Sequence, residues 1–207
     1  MRTLTVAAFI SLDGVIQAPG GPTEDTTGGF CFGGWIVPYA DQASGEAVGE
    51  LFAQPFELLL GRRTYDIFAG YWPRVTSEMP HTGIVEVFNR VPKHVATHDP
   101  DTLEWHNSHA LEGDLAKAIS TLKQQDGAPL LTQGSGELVR QLMAAGVVDE
   151  LRLMTHPVVL GRGKRLFDET AQAAAFRLVQ SSTTPTGVLV ARYVRAGEVR
   201  TGSFETV

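Results

Sequence analysis

The chain has 207 residues, 43% of them hydrophobic, which is enough for one domain with a substantial core. Its 23 acidic and 17 basic side chains give a formal net charge of -6 at pH 7, which argues against nonspecific binding to a nucleic-acid backbone. The single cysteine, Cys31, excludes an internal disulfide and a metal site built from several cysteines. We therefore expect one domain over residues 1–207 that binds a small molecule and no nucleic acid.

The first predicted element is a strand over residues 4–10. The apolar run at the N-terminus is too short for a secretory signal. No apolar stretch approaches the ~20 residues that cross a membrane as a helix. We therefore expect a cytoplasmic protein with no membrane partner.

A carboxylate, Asp13, comes directly after this strand, within residues 11–14 (SLDG). Such a carboxylate can orient a polar substrate or assist proton transfer, because burial and neighbouring groups set its pKa. Asp-Gly is also a common turn pair, and from these residues alone the turn is the slightly favoured interpretation.

A long glycine-rich segment, residues 19–41, follows the first strand. Its aromatic residues are Phe30, Phe32, Trp35 and Tyr39. A loop of this length is usually functional or disordered, and the aromatic residues argue against disorder. We interpret it as a lid, and we predict a helix after it over residues 43–52, where apolar residues share one face.

A strand over residues 58–60 passes through Gly61 into a helical start at Arg62, Arg63 and Thr64. Glycine lets a ligand approach the backbone, the N–H groups of a first helical turn favour an anion, and arginines add positive charge. The pattern is typical of a phosphate site. By itself it is equally consistent with a plain strand-end turn beside solvated arginines.

The middle of the chain contains one ambiguous element. Residues 84–88 fit a short helix or a strand, and we favour the helix because Asn89 and Pro92 separate it from a predicted strand over residues 93–97. A further amphipathic helix is predicted over residues 111–122.

The strand-to-helix connection at Gly61, which we call a corner, has a second counterpart later in the chain. A strand over residues 129–132 leads through residues 134–136 (GSG) into a helix over residues 137–145. Val139 stands where a third glycine would complete G-x-G-x-x-G, so an ordinary Rossmann fingerprint is not supported. Two such corners at the carboxyl ends of strands in one sheet can hold a diphosphate between them, so a dinucleotide is the favoured ligand.

The last third of the chain is nearly all strand and turn. Strands are predicted over residues 150–160, 176–183 and 188–194, and the last two form a hairpin. Strands that alternate with helices earlier in the chain imply parallel crossovers. The sequence therefore predicts an α/β fold whose mixed, mostly parallel sheet is flanked by helices and ends in an antiparallel hairpin. The apolar C-terminal strands also lead us to expect a homodimer.

Histidine and serine patterns disfavour two other kinds of site. The six histidines show no H-E-x-x-H spacing and no cysteine pair accompanies them, so we expect no metal. His156 lies in an apolar strand and is interpreted as a core histidine. Ser135 lacks the G-x-S-x-G spacing of a hydrolase nucleophile.

With these residues placed, the chain resembles the dihydrofolate reductase-like superfamily, and within it stand-alone proteins similar to the reductase domain of the bifunctional riboflavin-biosynthesis deaminase-reductase. The resemblance covers nearly the whole chain and is carried by residues 11–14 (SLDG), 60–65 (LGRRTY), 71–73 (YWP), 133–136 (QGSG) and 148–167. It implies a three-layer dihydrofolate reductase-like fold and NADPH as cofactor. It also implies direct hydride transfer to a small pyrimidine, pterin-like or carbonyl substrate, without a covalent intermediate.

The resemblance also assigns site residues. The cofactor phosphates would contact Gly61, Arg62, Arg63 and Thr64, the adenosine 2′-phosphate would contact Thr97, and the diphosphate would contact Gly134, Ser135, Gly136, Glu137 and Leu138. The substrate would be faced by Asp13, which is the candidate catalytic carboxylate, and by Trp35 and Asp41.

Two departures from the family pattern limit these assignments. The chain has no deaminase half, so it could supply only the reduction step of the riboflavin pathway. The first helix offers both Glu46 and Glu50 for the acid that holds the pterin ring in dihydrofolate reductases, and no motif chooses between them. A noncatalytic nucleotide-binding or sensor protein, or a structural dimerisation module, remains an alternative to a reductase.

Overall fold

The first strand, Leu4–Ser11, is buried on both faces, which is the pattern of a strand with helices above and below it. The structure is a computed structural model and describes residues 1–75 and 82–204. Its strands are β1 (Leu4–Ser11), β2 (Glu57–Gly61), β3 (Lys93–Ala96), β4 (Ser108–Ala110), β5 (Leu130–Gln133), β6 (Glu150–His156), β7 (Ala175–Thr183) and β8 (Leu189–Gly197). Its α-helices are α1 (Gln42–Ala53), α2 (Arg62–Tyr71), α3 (Thr82–Arg90), α4 (Leu115–Gln124) and α5 (Gly136–Ala144).

These strands form one mixed sheet in the order β4-β3-β2-β5-β1-β6-β8-β7. Neighbouring strands from β4 to β6 pair in parallel, whereas β8 pairs antiparallel with both β6 and β7. The predicted mixed sheet with a C-terminal antiparallel hairpin is therefore confirmed.

Helices cover both faces of the sheet and divide its core into two main clusters. On one face, the buried residues of α4 and α5, among them Ile119 and Leu142, pack against Val6 and Leu59 of the sheet. On the other face, α1, α2 and α3 contribute Phe52, Tyr65 and Phe88. The molecule thus has the three layers that the resemblance implies.

The ambiguous element, residues 84–88, lies in a helix, α3, as we favoured. Two other elements differ from the sequence prediction. Strand β6 ends at His156 rather than at residue 160, because Pro157 has no N–H to continue the ladder. The short edge strand β4 was not predicted, since three residues carry too little periodicity to be recognised.

Strand β7 is the outer edge of the sheet and leaves Leu178 and Val179 exposed. The predicted homodimer stays a prediction.

Among the described residues, no helix combines the length and apolar character needed to cross a membrane. His81, one of the six histidines, lies outside the described residues.

A buried lysine stabilises the sheet near its β4 edge. Lys93 in β3 is fully buried, and its ammonium group donates to the carbonyl oxygens of Asn89, Val91 and His106 at 2.9 to 3.1 Å. It also lies 4.3 Å from the centre of the Trp105 ring. Burial lowers the pKa of Lys93 to about 8.

We expect Lys93→Met to lower the free energy of unfolding by about 3 kcal/mol, because three carbonyl oxygens lose their shared donor. Urea denaturation followed by circular dichroism measures the change. Lys117→Met, at an exposed lysine of α4, is the matched control and should change stability by less than about 0.5 kcal/mol. Equal stability of the two variants would contradict the role assigned to Lys93.

Candidate active site

The two glycine corners predicted from the sequence lie side by side. Strands β2 and β5 are parallel neighbours, so their carboxyl ends reach the same edge of the sheet. The Gly61 N–H donates to Ser135 Oγ at 3.1 Å, and the Ser135 N–H donates to Thr64 Oγ1 at 3.2 Å. Ser135 therefore joins the start of α2 to the start of α5.

The second corner requires an unusual backbone. Gly134 and Ser135 both have left-handed φ angles, of 65° and 53°. At Gly136 a Cβ would lie 2.9 Å from Ile16 Cδ1, so the close approach of β1's loop favours glycine there. The left-handed φ favours glycine at position 134, whereas Ser135 adopts a similar φ as a non-glycine residue.

Both helices begin at this edge without a side-chain cap from the N-cap residue. Gly61 has no side chain to cap α2, and the Ser135 hydroxyl is used by Gly61 rather than by α5. The first-turn N–H groups of two helices, whose dipoles favour anions, therefore lie at one place. The side chain of Glu137 pairs with Arg140, and the side chain of Leu138 is buried in the core. These two residues can therefore offer only their backbone N–H groups to a ligand at this turn.

Arg62 connects the first corner to the end of β3. Its guanidinium donates to Thr97 Oγ1 at 3.3 Å, to the Asp99 carbonyl at 3.2 Å and to Thr102 Oγ1 at 2.5 Å, and its Nε pairs with Asp66 at 2.8 Å. The predicted phosphate contacts Arg62 and Thr97 thus lie together.

Arg63 belongs to a different cluster, which the sequence analysis missed. It forms an ion pair with Asp25, and Lys164 pairs with the same carboxylate. Asp25 sits among glycines and turn residues of the segment 19–41, so nothing in its local pattern marked it.

The carboxylate of Asp13 is fully engaged by neighbouring donors. It accepts from Ser11 Oγ at 2.7 Å and from the N–H groups of Leu160 and Gly161 at 3.0 and 2.8 Å. Burial alone would raise the pKa of Asp13, but these hydrogen bonds outweigh it and lower the pKa to about 2. Asp13 is therefore ionised at neutral pH, which disfavours proton donation, and it is not among the residues that line the cleft described below.

Trp35 and Asp41 occupy structural positions. Trp35 is buried with Phe30, and its indole N–H donates to the Gln17 carbonyl at 2.8 Å. Asp41 caps α1 by accepting from the Ser44 N–H at 2.7 Å, and its other oxygen accepts from the N–H and hydroxyl of Thr186. Neither residue lines the cleft described next, so their assignment as substrate contacts stays a prediction that this placement does not favour.

A cleft of about 330 Å³ opens beside the corners, between α1 and the sheet. Its floor is formed by a row of residues that are register partners on neighbouring strands, so their side chains face the same side of the sheet. From β5 to β7 the row contains Gln133, Ala7, Arg152, Arg192 and Gln180. The small side chain of Ala7 leaves room between the polar groups, and Gln133 directly precedes the second corner.

Charged groups line the cleft on two sides. Arg152 and Arg192 on its floor both pair with Glu150, at 2.6 and 2.7 Å. Burial alone would raise the pKa of Glu150, but the two guanidinium groups outweigh it and lower the pKa. Glu46 and Glu50 of α1 line the opposite side.

The arginines of the cleft were missed by the sequence analysis, although a signal was present. Glu150 and Arg152 alternate with the apolar Leu151 and Leu153 at the start of β6. Such alternation indicates a polar row on one face, and a partner on the next strand would complete it.

Histidines and acids offer no metal site in the part of the chain that the structure describes. His156 is buried, its Nδ1 lies 3.0 Å from the Met154 carbonyl, and Trp35 contacts its ring edge-on at 5.3 Å. These contacts match a core histidine.

Comparison with known proteins shows the family to which this chain belongs. The model of the RibD C-terminal domain family matches residues 2–190. The uncharacterized protein YyaP of Bacillus subtilis (strain 168) is 22% identical over 188 residues, which are 91% of this chain and 92% of YyaP.

Two solved structures share the fold. A pyrimidine reductase-like protein from Corynebacterium diphtheriae is 15% identical and superposes with a TM-score of 0.61, over 95% of this chain and 93% of its own. Dihydrofolate reductase from Enterococcus faecalis, solved in complex with NADP(H), is 14% identical with a TM-score of 0.58, over 93% and 96% of the two chains. At these identities the likeness shows the fold, and it confirms the dihydrofolate reductase-like architecture.

We expect Asp13→Asn to destabilise the protein at neutral pH, because an amide nitrogen would face N–H donors. The pKa of Asp13 in the folded protein, about 2, lies below its unfolded value of ~3.9. The stability advantage of wild type is therefore present above about pH 4 and is lost as the pH falls through about 2. Urea denaturation across this range measures it, with the exposed Asp101→Asn as control; a pH-independent difference would contradict the assignment.

Proposed function

Because this chain belongs to the RibD C-terminal domain family, we propose that it is an NADPH-dependent reductase that delivers hydride to a small substrate bound in the cleft beside α1. The family is of the reductase type, and the cofactor and substrate are our assignments. The observation that carries the proposal is the contact between the two corners, which joins two helix N-termini at one edge of the sheet.

The residues at the corners fit the phosphates of a dinucleotide. The Gly-Ser-Gly turn leaves the backbone of α5 accessible, and no side chain of its N-cap residue satisfies the first-turn N–H groups. We assign the diphosphate to Gly61, Thr64 and residues 134–138, and the adenosine 2′-phosphate to Arg62 and Thr97. The dihydrofolate reductase of the same fold, solved with NADP(H), supports a dinucleotide as the kind of ligand.

The cleft supports a polar heterocyclic substrate with an anionic substituent. Arg152 and Arg192 share one carboxylate, Glu150, so the floor of the cleft keeps a net positive charge there. A pyrimidine similar to 5-amino-6-(5-phosphoribosylamino)uracil would match this charge through its phosphate, while Gln133 offers an amide to the ring. A pterin-like or carbonyl compound with an anionic group is compatible with the same floor.

The reduced nicotinamide, when bound, supplies the hydride. The residues of the chain supply position. The backbone corners fix the cofactor, the floor of the cleft orients the substrate, and α1 covers it from water. Because Asp13 is ionised, we assign the proton to a water molecule in the cleft.

Purified protein titrated with NADPH, and then mixed with 5-amino-6-(5-phosphoribosylamino)uracil and with aldehydes, tests the proposal. Quenching of tryptophan fluorescence reports binding, and loss of nicotinamide absorbance reports turnover. Binding without oxidation of NADPH by any compound would favour the alternative of a noncatalytic nucleotide sensor. Absence of binding would overturn both.

We expect Arg62→Gln to weaken NADPH binding by about tenfold and NADH binding by less than about twofold, because NADH lacks the 2′-phosphate. Fluorescence titration with both nucleotides measures the ratio. Arg90→Gln, at an exposed arginine of α3, is the charge-matched control and should leave both affinities unchanged. An equal loss for the two nucleotides would place Arg62 away from the 2′-phosphate.

For a phosphorylated pyrimidine that is turned over, we expect Arg192→Gln to raise KM by about tenfold with little change in kcat, because a uniform binding contact is removed. The dephosphorylated compound should show no such difference between wild type and variant. Arg177→Gln, at an exposed position of β7, is the control. A fall in kcat for both compounds would contradict a role in phosphate binding.

A further inference from the structure

The glycine-rich segment, residues 19–41, carries a buried carboxylate, Asp25, that joins it to α2 and to the loop after β6. The side chain of Asp25 is 7% exposed. Its Oδ1 accepts from the N–H and hydroxyl of Thr27, at 3.1 and 2.5 Å, inside the segment. Gln17, also buried, donates to the Asp25 carbonyl and accepts from the Lys164 N–H, both at 3.0 Å. Uncharged groups alone therefore already fix the position of Asp25.

Two cations from different parts of the chain meet at this carboxylate. Arg63 of α2 contacts both oxygens of Asp25 through its Nη2 and Nε, at 2.8 and 3.1 Å. The ammonium group of Lys164, from the loop after β6, contacts Oδ2 at 2.7 Å. Burial alone would raise the pKa of Asp25, but the hydrogen bonds from Lys164, Thr27 and Arg63 outweigh it and hold the pKa well below its usual range.

The two cations remain open to solvent although their carboxylate is buried. The side chains of Arg63 and Lys164 are 55% and 46% exposed. Among the described residues, no second hydrogen-bond or ion-pair partner contacts either cationic group, so Nη1 of Arg63 and further ammonium hydrogens are available to an anion. One carboxylate against two cations leaves the cluster with a net charge of +1.

The cluster lies next to the two corners. Arg63 directly precedes Thr64, whose hydroxyl contacts Ser135. Lys164 directly precedes Arg165, whose carbonyl oxygen lies 3.7 Å from the position that a Cβ at Gly136 would take. The residues that carry these charges therefore directly adjoin residues at the N-termini of α2 and α5.

We propose that Asp25 is a positioning residue for cofactor binding: it holds the guanidinium of Arg63 and the ammonium of Lys164 beside the corners, where they attract the diphosphate. The inference rests on the proposed function, because it presumes a dinucleotide at the corners. It assigns a role to the glycine-rich segment, which carries the carboxylate that organises this charge. A cation that is already held in place loses less conformational entropy when the anion binds.

The proposal predicts a pattern that differs from that of Arg62. The diphosphate is common to NADPH and NADH, so loss of Asp25 should weaken both nucleotides by the same factor. The opposite effect is expected if Asp25 merely competes with the phosphates for Arg63 and Lys164, since its removal would then tighten binding.

The experiment compares Asp25→Asn with Glu24→Gln in the full chain, by fluorescence titration with NADPH and NADH. Glu24 is the matched control, because it neighbours Asp25 and accepts from the N–H groups of Gly20 and Gly21 at 2.7 and 3.2 Å, without contacting a cation. We expect Asp25→Asn to weaken both nucleotides by about tenfold, and Glu24→Gln to change either by less than about twofold.

Unchanged or tighter binding by Asp25→Asn would overturn the inference, as would a loss confined to NADPH or an equal loss in Glu24→Gln. If Asp25→Asn does not fold by circular dichroism, Asp25→Glu, which keeps the charge but displaces the carboxylate, takes its place, and equal losses for the two nucleotides are again required. Failure of the wild-type protein to bind either nucleotide would overturn the proposed function itself, which distinguishes the two failures.

Discussion

The parallel pairing of β2 with β5 is the constraint on which the candidate site depends. It brings two strand-to-helix corners, 74 residues apart along the chain, close enough for the Gly61 N–H to reach Ser135 Oγ at 3.1 Å. Because Ser135 uses its hydroxyl there, it does not cap α5. Backbone N–H groups without a partner inside the helix can bind an anion. The pairing of β2 with β5 therefore produces both the contact between the corners and the free N–H groups that could bind a phosphate.

The substrate side of the site depends on a second constraint, the placement of α1 over the sheet. Asp41 caps this helix and also holds Thr186 in the turn of the C-terminal hairpin. The antiparallel pairing of β8 with β6 then aligns Arg192 with Arg152 below the helix. Asp41 thus contributes to the cleft through the position of α1, although the sequence analysis assigned it a direct contact with substrate.

Prediction succeeded where a feature is local. The strand-glycine-helix pattern at Gly61 and at residues 134–136 is visible within ten residues, because glycine and helix-start preferences are set by neighbouring backbone. It failed at Asp25, whose partners Arg63 and Lys164 are 38 and 139 residues away. It also gave Asp13 no partner beyond its own turn, whereas the N–H groups of Leu160 and Gly161, together with the Ser11 hydroxyl, lower its pKa.

The sequence by itself determined the α/β class, the hairpin, both corners and the family resemblance, since each depends on periodicity or on a short motif. The tertiary structure decided which strands are neighbours, and therefore which charges meet. Arg152 with Arg192 across Glu150, and Arg63 with Lys164 across Asp25, are pairings between distant segments. The strength of an ion pair depends on the distance between the charges and on their burial. Neither quantity can be derived from the residues that neighbour each charge in the sequence.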